Sequence, residues 1–262
     1  MDTQGRYLFD NDNPESAGQH RALSTLLDPL SFERLAATGV GPGWRCLEVG
    51  AGGGSVAVWL AERVVPGGRV LATDIKPGHI PAVDGLEVLR HDVVTDPLPE
   101  SAFDLIHARL VLSHLPARDK VIQRLVAALR PGGVLQLDEI DISYWPVLLA
   151  PDETAYKLVE SYQSTMGSML RARGSDPTWG REVARAMSAA GLSAIDPVCR
   201  YETWTPGSPG LDLLVSNSIQ LRDGFVGSGM TDEQLGQVRE VMTGPDFAVT
   251  SFATYSVQGR RA

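Results

Sequence analysis

Cys46-Leu47-Glu48-Val49-Gly50-Ala51-Gly52-Gly53-Gly54-Ser55 decides how this chain folds. A short apolar run (Cys46, Leu47, Val49) breaks into four glycines within five residues, and Val56 to Val64 then has the spacing of a helix. Strand, glycine turn and helix open a nucleotide-binding α/β unit. A residue without Cβ makes the tight turn and lets a ligand press against backbone. A dinucleotide fingerprint wants glycines at the first, third and sixth positions, and counting from Gly50 the sixth is Ser55. The pattern here is different: an acid in the strand end (Glu48), one apolar residue, then Gly-x-Gly-x-Gly.

Outward from that stretch, strand and helix alternate. Strands are predicted over 45–49, 69–73 (finishing at Asp74), 86–90 (reaching Asp92), 103–108 and 134–140. Helices are predicted over 55–64 and 117–129, the second with Val121, Leu125, Val126 and Leu129 on one face and stopped by Pro131-Gly132-Gly133. Repeated strand–helix units imply parallel pairing, right-handed crossovers and helices on both faces. Before this core, apolar spacing predicts a short helix over 20–27. Asp28-Pro29 breaks it, and Ser31 caps a second helix to about Thr38. After it, helices are predicted over 152–173, 179–190 and 211–221. Thr231-x-x-Gln234 is a capping-box start for one more, to about Met242. Ser193 to Trp204 and Phe247 to Val257 read as two late strands. The organisation expected is one domain of four parts: a helical leader (1–40), a ligand-binding core (41–141), a helical cap insertion (142–190), and a tail that closes the sheet (191–262).

Composition narrows the function classes. The chain has 262 residues, 43% hydrophobic and 21% charged, a length that suits one large α/β domain with a cap. Its formal charge is −9, its pI is near 5.0, and it has no basic stripe. Nucleic-acid affinity rests on Lys and Arg neutralising phosphates, so a DNA or RNA partner is disfavoured and a small substrate expected. Cys46 and Cys199 cannot build a disulfide framework, which points to a reduced, cytoplasmic setting. Neither a signal-like start nor a long apolar run is present, so no membrane association is expected.

The acid-x-Gly-x-Gly-x-Gly of Glu48–Gly54 resembles motif I of the class I S-adenosylmethionine-dependent methyltransferases. The likeness continues at His91-Asp92-Val93, through Phe103 to Pro116, and at Leu129-Arg130-Pro131-Gly132-Gly133. It is strong over about residues 40–141 and weaker through Ala190-Gly191-Leu192 and Gly259-Arg260-Arg261. Tyr7-x-x-Asp10-Asn11 and Asp28-Pro29 are similar to bacterial, actinobacterial-type methyltransferases of natural-product biosynthesis. The resemblance implies a Rossmann-like, doubly wound, seven-stranded sheet, mostly parallel with one antiparallel strand near the C-terminus. It implies S-adenosyl-L-methionine as cofactor and S-adenosyl-L-homocysteine as product.

The same resemblance distributes roles. Glu48, Gly50, Ala51, Gly52 and Gly54 would hold the methionine part of the cofactor, with Glu48 on its ammonium group. Asp74, followed by Ile75, would accept both ribose hydroxyls. Asp92 and the Val93 backbone would take the adenine, while Ala108, Arg109 and His114 would line the methionine end, with Tyr7 from the leader. For a hydroxyl acceptor, His114 is the first candidate base, having an unperturbed pKa near neutrality, and His20 and Glu139 follow. Tyr144, Trp145, Tyr162, Met166, Met169 and Trp179 could form an aromatic cavity for a ring-bearing acceptor, with Asn217, Gln220 and Arg222 orienting its polar groups. Methionines and aromatics at helical spacing equally describe a core. Beyond the isolated Asp138, Glu139 and Asp141 no oxygen-rich cluster can be assembled, so no metal is expected.

The reading is therefore transfer of a methyl group to a small-molecule acceptor, on oxygen in preference to nitrogen or carbon. Three alternatives stay open. One is a cofactor-binding enzyme that promotes a cyclisation, rearrangement or decarboxylation without transferring methyl. Another is a nicotinamide-dependent reductase, against which the missing sixth-position glycine argues. The last is a regulatory binding protein. Acidic members of the class form dimers through leader helices, which makes a homodimer an expectation.

Overall fold

A computed structural model describes residues 16–262, and within them two compact units. The sheet unit comprises residues 27–140, 179–199 and 254–262; the helical unit comprises residues up to 26, 141–178 and 200–253. In chain order the strands are β1 (Arg45–Val49), β2 (Arg69–Asp74), β3 (Leu86–Arg90), β4 (Phe103–Arg109), β5 (Leu129–Asp141), β6 (Val147–Leu149), β7 (Ser193–Arg200), β8 (Thr203–Trp204), β9 (Ala248–Thr250) and β10 (Ala253–Arg260). The helices are α1 (Ser16–Ala37), α2 (Ser55–Val64), α3 (Arg118–Ala128), α4 (Glu153–Ala172), α5 (Val183–Ala189), α6 (Pro209–Gln220), α7 (Arg222–Gly227) and α8 (Asp232–Thr243).

The sheet unit is built on a seven-stranded sheet of order β3-β2-β1-β4-β5-β10-β7, mostly parallel with one antiparallel strand. The order reverses between β1 and β4, the crevice where open α/β sheets bind ligands. β1 runs parallel to both β2 and β4 and is buried from Cys46 to Val49 because both edges are covered. α2 follows the glycines directly. It buries Val56, Ala57, Leu60, Ala61 and Val64 along one stripe, and Pro66 prevents its continuation. The other face of the sheet carries α3 and α5, whose Val121, Ile122, Leu125, Val183 and Met187 share a core with Leu47, Ile106 and Leu137.

The helical unit packs α4, α6, α7 and α8 with a three-stranded sheet, β6-β9-β8. Asp152 caps α4 by accepting from the Ala155 N–H at 2.8 Å. α8 begins with the expected capping box, Thr231 and Gln234 each accepting from the other's backbone N–H. No helix among the described residues is long and apolar enough to cross a membrane.

Three local expectations change. Asp28-Pro29 does not break the leader: α1 is one helix of 22 residues with Pro29 inside it. A proline interior to a helix costs about 3 kcal/mol. Burial of Leu27, Leu30, Ser31, Arg34 and Leu35 offsets that, and the Asp28 carboxylate is held by Ser55 and Arg109 rather than starting a new helix. The turn at Pro131–Gly133 lies within β5, looped out where pairing with β4 jumps from Phe103↔Leu129 to Leu105↔Val134. Finally, each late strand divides into two. Ser193–Arg200 and Ala253–Arg260 join the large sheet, whereas Thr203–Trp204 and Ala248–Thr250 join the small one. Ser251 makes one break self-consistent: its N–H donates to the Glu202 carbonyl at 2.7 Å and its hydroxyl accepts from the Glu202 N–H at 2.8 Å.

Candidate active site

The glycine turn is a set of left-handed residues. Gly50, Gly52 and Gly54 have φ of 66°, 53° and 81°. At Gly50 a Cβ would also lie 2.4 Å from Val111 Cγ2, so shape as well as dihedral demands glycine there. The Ala51 N–H donates to the Thr73 carbonyl at 3.0 Å and the Gly52 N–H to Asp74 Oδ2 at 2.9 Å, fastening the turn to the end of β2. Asp74 Oδ1 accepts from the Lys76 N–H at 2.8 Å. A carboxylate has about four acceptor positions, so this buried acid keeps capacity for two vicinal hydroxyls. Ile75, next in the chain, leaves 42% of its surface exposed, an apolar face for a base. Asp92 is half-buried and caps the turn after β3 through the Val94 N–H at 2.8 Å; Val93 beside it is buried.

Beneath the turn lies a buried charged chain. Glu48, His107 and Gln136 are register partners across β1, β4 and β5. His107 Nδ1 is 2.7 Å from Glu48 Oε2 and its Nε2 is 2.9 Å from Asp138 Oδ2, all three side chains being buried. Both carboxylates and the imidazole shift one another's titration. Burial pushes the Glu48 carboxyl above its ordinary range, although His107 opposes this. Burial alone would depress His107, but the flanking Glu48 and Asp138 carboxylates outweigh it and raise its pKa to about 9. Asp138 is held down at about 2, because the charge of His107 and its hydrogen bond outweigh the effect of burial.

Arg109 closes the site at the leader side. Its guanidinium donates to Asp28 Oδ1 at 2.7 Å, Ser31 Oγ at 3.1 Å and Ser55 Oγ at 3.3 Å, tying β4 to α1 and to the first residue of α2. Ala108 buries its methyl group in the core, so only its backbone can line a ligand. Leu110 follows at φ 54°, a conformation that costs a residue with a Cβ about 1–2 kcal/mol. Its N–H donates to the Asp138 carbonyl at 2.9 Å. With Leu27, Leu30, Arg109 and Glu139 it lines a narrow crevice.

The three base candidates differ in chemistry. Glu139 is fully buried at the end of β5; Oε1 accepts from the Leu112 N–H at 2.8 Å, whereas Oε2 has no hydrogen-bond partner. Burial raises its pKa to about 7 despite the N–H groups of the 111–113 turn. Half-buried His114 sits in the short turn Leu112–His114, and burial, then Arg118, lowers it to about 4. His20 is half-buried in α1, within the helical unit. Tyr7 lies outside the described residues.

Most acceptor candidates prove to be packing residues. Tyr162 is fully buried, stacked on Phe225 at 4.7 Å, with its hydroxyl donating to the Leu214 carbonyl. Met166 and Met169 are buried on the same face of α4. Trp145 is buried edge-on to Phe252, and Trp179 belongs to the core of the sheet unit under Arg118. Asn217 is buried and accepts from Gln19. Arg222 lies on the surface, paired with Asp232 and Asp223. Tyr144 is 67% exposed, and the half-buried Gln220 has both amide atoms buried without a partner.

His107 and Gln136 escaped the sequence reading, as did the pairing of Arg109 with Asp28 and Ser55. A histidine inside a strand gives a weak signal of its own; only the register that sets it opposite Glu48 reveals its partner.

The methyltransferase-domain family pattern matches residues 47–135. Methyltransferase str3 of the fungus Strobilurus tenacellus is 34% identical over 80% of this chain and 74% of its own length. Methyltransferase str2 of the same fungus is 30% identical over 76% and 73%. A ubiquinone/menaquinone biosynthesis C-methyltransferase of Bordetella avium is 27% identical over 62% and 72%. Among solved structures, a phosphoethanolamine N-methyltransferase of Haemonchus contortus holding S-adenosylhomocysteine superposes with a TM-score of 0.55. It does so at 16% identity, over 97% of this chain and 60% of its own.

Proposed function

The chain belongs to the class I S-adenosylmethionine-dependent methyltransferases, and from that premise we propose that it methylates an oxygen of a small, ring-bearing acceptor in natural-product biosynthesis. The donor set fits the cofactor. Asp74 has acceptor capacity for a ribose, Ile75 offers an apolar face for adenine, and Glu48 has Oε1 unbonded to any described residue while Oε2 engages His107. S-adenosyl-L-methionine supplies an electrophilic methyl group; displacement at that carbon needs chiefly alignment, and a hydroxyl acceptor must also lose a proton.

Glu139 carries the oxygen assignment. A base works best with a pKa near the working pH, and the carboxyl near 7 with an idle buried oxygen meets that better than an imidazole near 4.

The test feeds methyl-¹³C cofactor and a panel of phenols and enols to the wild type and to Glu139→Gln. S-adenosyl-L-homocysteine release is followed by chromatography, and the labelled carbon by NMR. Stoichiometric release with label on oxygen is expected, kcat rising with pH through about 7. Glu139→Gln should lower kcat by about 10²-fold or more, with S-adenosyl-L-homocysteine affinity unchanged. Label on carbon or nitrogen overturns the oxygen assignment, and acceptor conversion without release overturns methyl transfer.

A further inference from the structure

We propose that His107 is a positioning residue for the amine end of the cofactor, acting through Glu48 as the buried cation that lets two carboxylates stay ionised side by side. The inference rests on the methyltransferase reading, because it concerns how that cofactor's ammonium group is held.

The geometry fixes the proton count. Carboxylates only accept hydrogen bonds, and both imidazole nitrogens lie within bonding distance of a carboxylate oxygen. Two bonds need two protons. They are present either as an imidazolium between two carboxylates or as an imidazole with a protonated Glu48, and in both forms the three groups together carry one negative charge. A single ammonium at Glu48 Oε1 neutralises that charge and draws the shared proton onto His107.

Everything else facing the chain keeps the far end fixed. Asp138 accepts from Gln136 Nε2, at 3.2 Å to Oδ1 and 3.1 Å to Oδ2. Gln136 in turn accepts from Gln258 Nε2 at 2.8 Å, and Gln258 also donates to the Arg34 carbonyl at 2.6 Å. The remaining charge acting on Glu48 is Arg109, whose guanidinium is committed to Asp28. Remove His107, and two buried carboxylates lose their common cation. Like charges in one dry site cannot both persist, so one carboxyl takes up a proton. Asp138 keeps the Gln136 amide donor, which favours the ionised form; Glu48 has none and becomes the neutral acid. The ammonium then loses its counter-charge, while the adenosine contacts at Asp74 and Asp92 are untouched.

Calorimetric titration of His107→Gln and of His107→Gln/Asp138→Asn with S-adenosyl-L-homocysteine and with 5′-methylthioadenosine, which lacks the amino-acid part, tests this. His107→Gln should weaken S-adenosyl-L-homocysteine by about tenfold or more, the scale of one charge-assisted hydrogen bond, and leave methylthioadenosine within about twofold. Removing the second carboxylate in the double variant should restore much of the loss. Equal weakening of both ligands, or no weakening, overturns the proposal. Should the variants not fold, ¹⁵N NMR of the wild type decides. Two ring N–H groups on His107 in the S-adenosyl-L-homocysteine complex at neutral pH, with a Glu48-side proton resonance that moves on adding that ligand but not methylthioadenosine, support it; a ring that stays singly protonated in that complex, or that does not respond to it, overturns it. Wild type that binds neither ligand is a different failure, that of the methyltransferase reading itself.

Discussion

The two units of this chain use their interiors in opposite ways. In the sheet unit the buried set includes Glu48, Asp74, His107, Asp138 and Glu139, of which Glu48, His107 and Asp138 form one hydrogen-bonded chain across β1, β4 and β5. In the helical unit the interior is Tyr162 on Phe225, Trp145 and Trp204 edge-on to Phe252, and Met166 and Met169 on one stripe of α4. Buried charge costs stability unless it is paired, and a unit that retains a connected set of it has a chemical reason to do so. Buried aromatics and methionines need no such reason: they are what a four-helix interior requires. The contrast separates chemistry from scaffold, and it can be broken by experiment.

The largest effects should come from residues whose roles the contrast assigns most firmly. Tyr162→Ala empties a fully buried, stacked position and should cost about 3–5 kcal/mol in denaturant unfolding. Tyr162→Phe loses only the bond to the Leu214 carbonyl and should cost about 1 kcal/mol. If Tyr162→Phe instead leaves stability intact and abolishes turnover, the helical interior is a substrate site and the division fails. Asp74→Ala should do the reverse: it strands the Gly52 and Lys76 N–H groups and removes the ribose acceptor. Affinity for S-adenosyl-L-homocysteine should fall by about 10²-fold, with a smaller change in the unfolding midpoint.

Legibility from the sequence follows the same division. The glycine turn after Glu48 is legible because the left-handed backbone at Gly50, Gly52 and Gly54 demands the residue type, whereas Asp74 and Asp92 are singled out by the resemblance at strand ends. β1, β2 and α2 fall within a residue of where periodicity put them. His107 was not readable as a partner of Glu48, because they lie 59 residues apart and meet only through the β1–β4 register. The late strands misled for a related reason. Alternation continues through Arg200–Thr203 and Thr250–Ala253, and nothing local announces that pairing passes to another sheet. At Pro29 the local rule was sound, but the burial of Leu27, Leu30 and Leu35 outweighed it.

A pH series sharpens the contrast without a mutation. His107 titrates higher in the folded chain, about 9, than the ordinary 6.5, so its contribution is complete below about 6.5 and is lost as pH rises through about 9. Asp138 is depressed to about 2 from 3.8, so its contribution is present above about 3.8 and is lost as pH falls through about 2. The His107 interval alone corresponds to roughly 3 kcal/mol at most. Midpoints measured from pH 6 to 10 should decline for the wild type. A flat series over that range would mean that the charged chain does not govern stability there.

The smallest effect tests the contrast where it is weakest, on the outer surface of the helical unit. Arg222 was expected to orient an acceptor, and the structure pairs its exposed guanidinium with Asp232, 2.6 Å from Nε, and with Asp223 at 2.7 Å. Exposed pairs of this kind trade Coulomb energy against side-chain entropy and solvent screening, and many contribute nothing measurable. Arg222→Ala should therefore leave the unfolding midpoint almost unmoved and kcat/KM within about twofold of wild type. Salt gives an independent check, since an ion pair of no consequence leaves both quantities insensitive to ionic strength. A tenfold loss of kcat/KM with an intact fold would instead mean that this face handles the acceptor. The pairing with Asp232 would then be the resting arrangement of a substrate-binding arginine, and the helical unit would have to be counted as part of the chemistry.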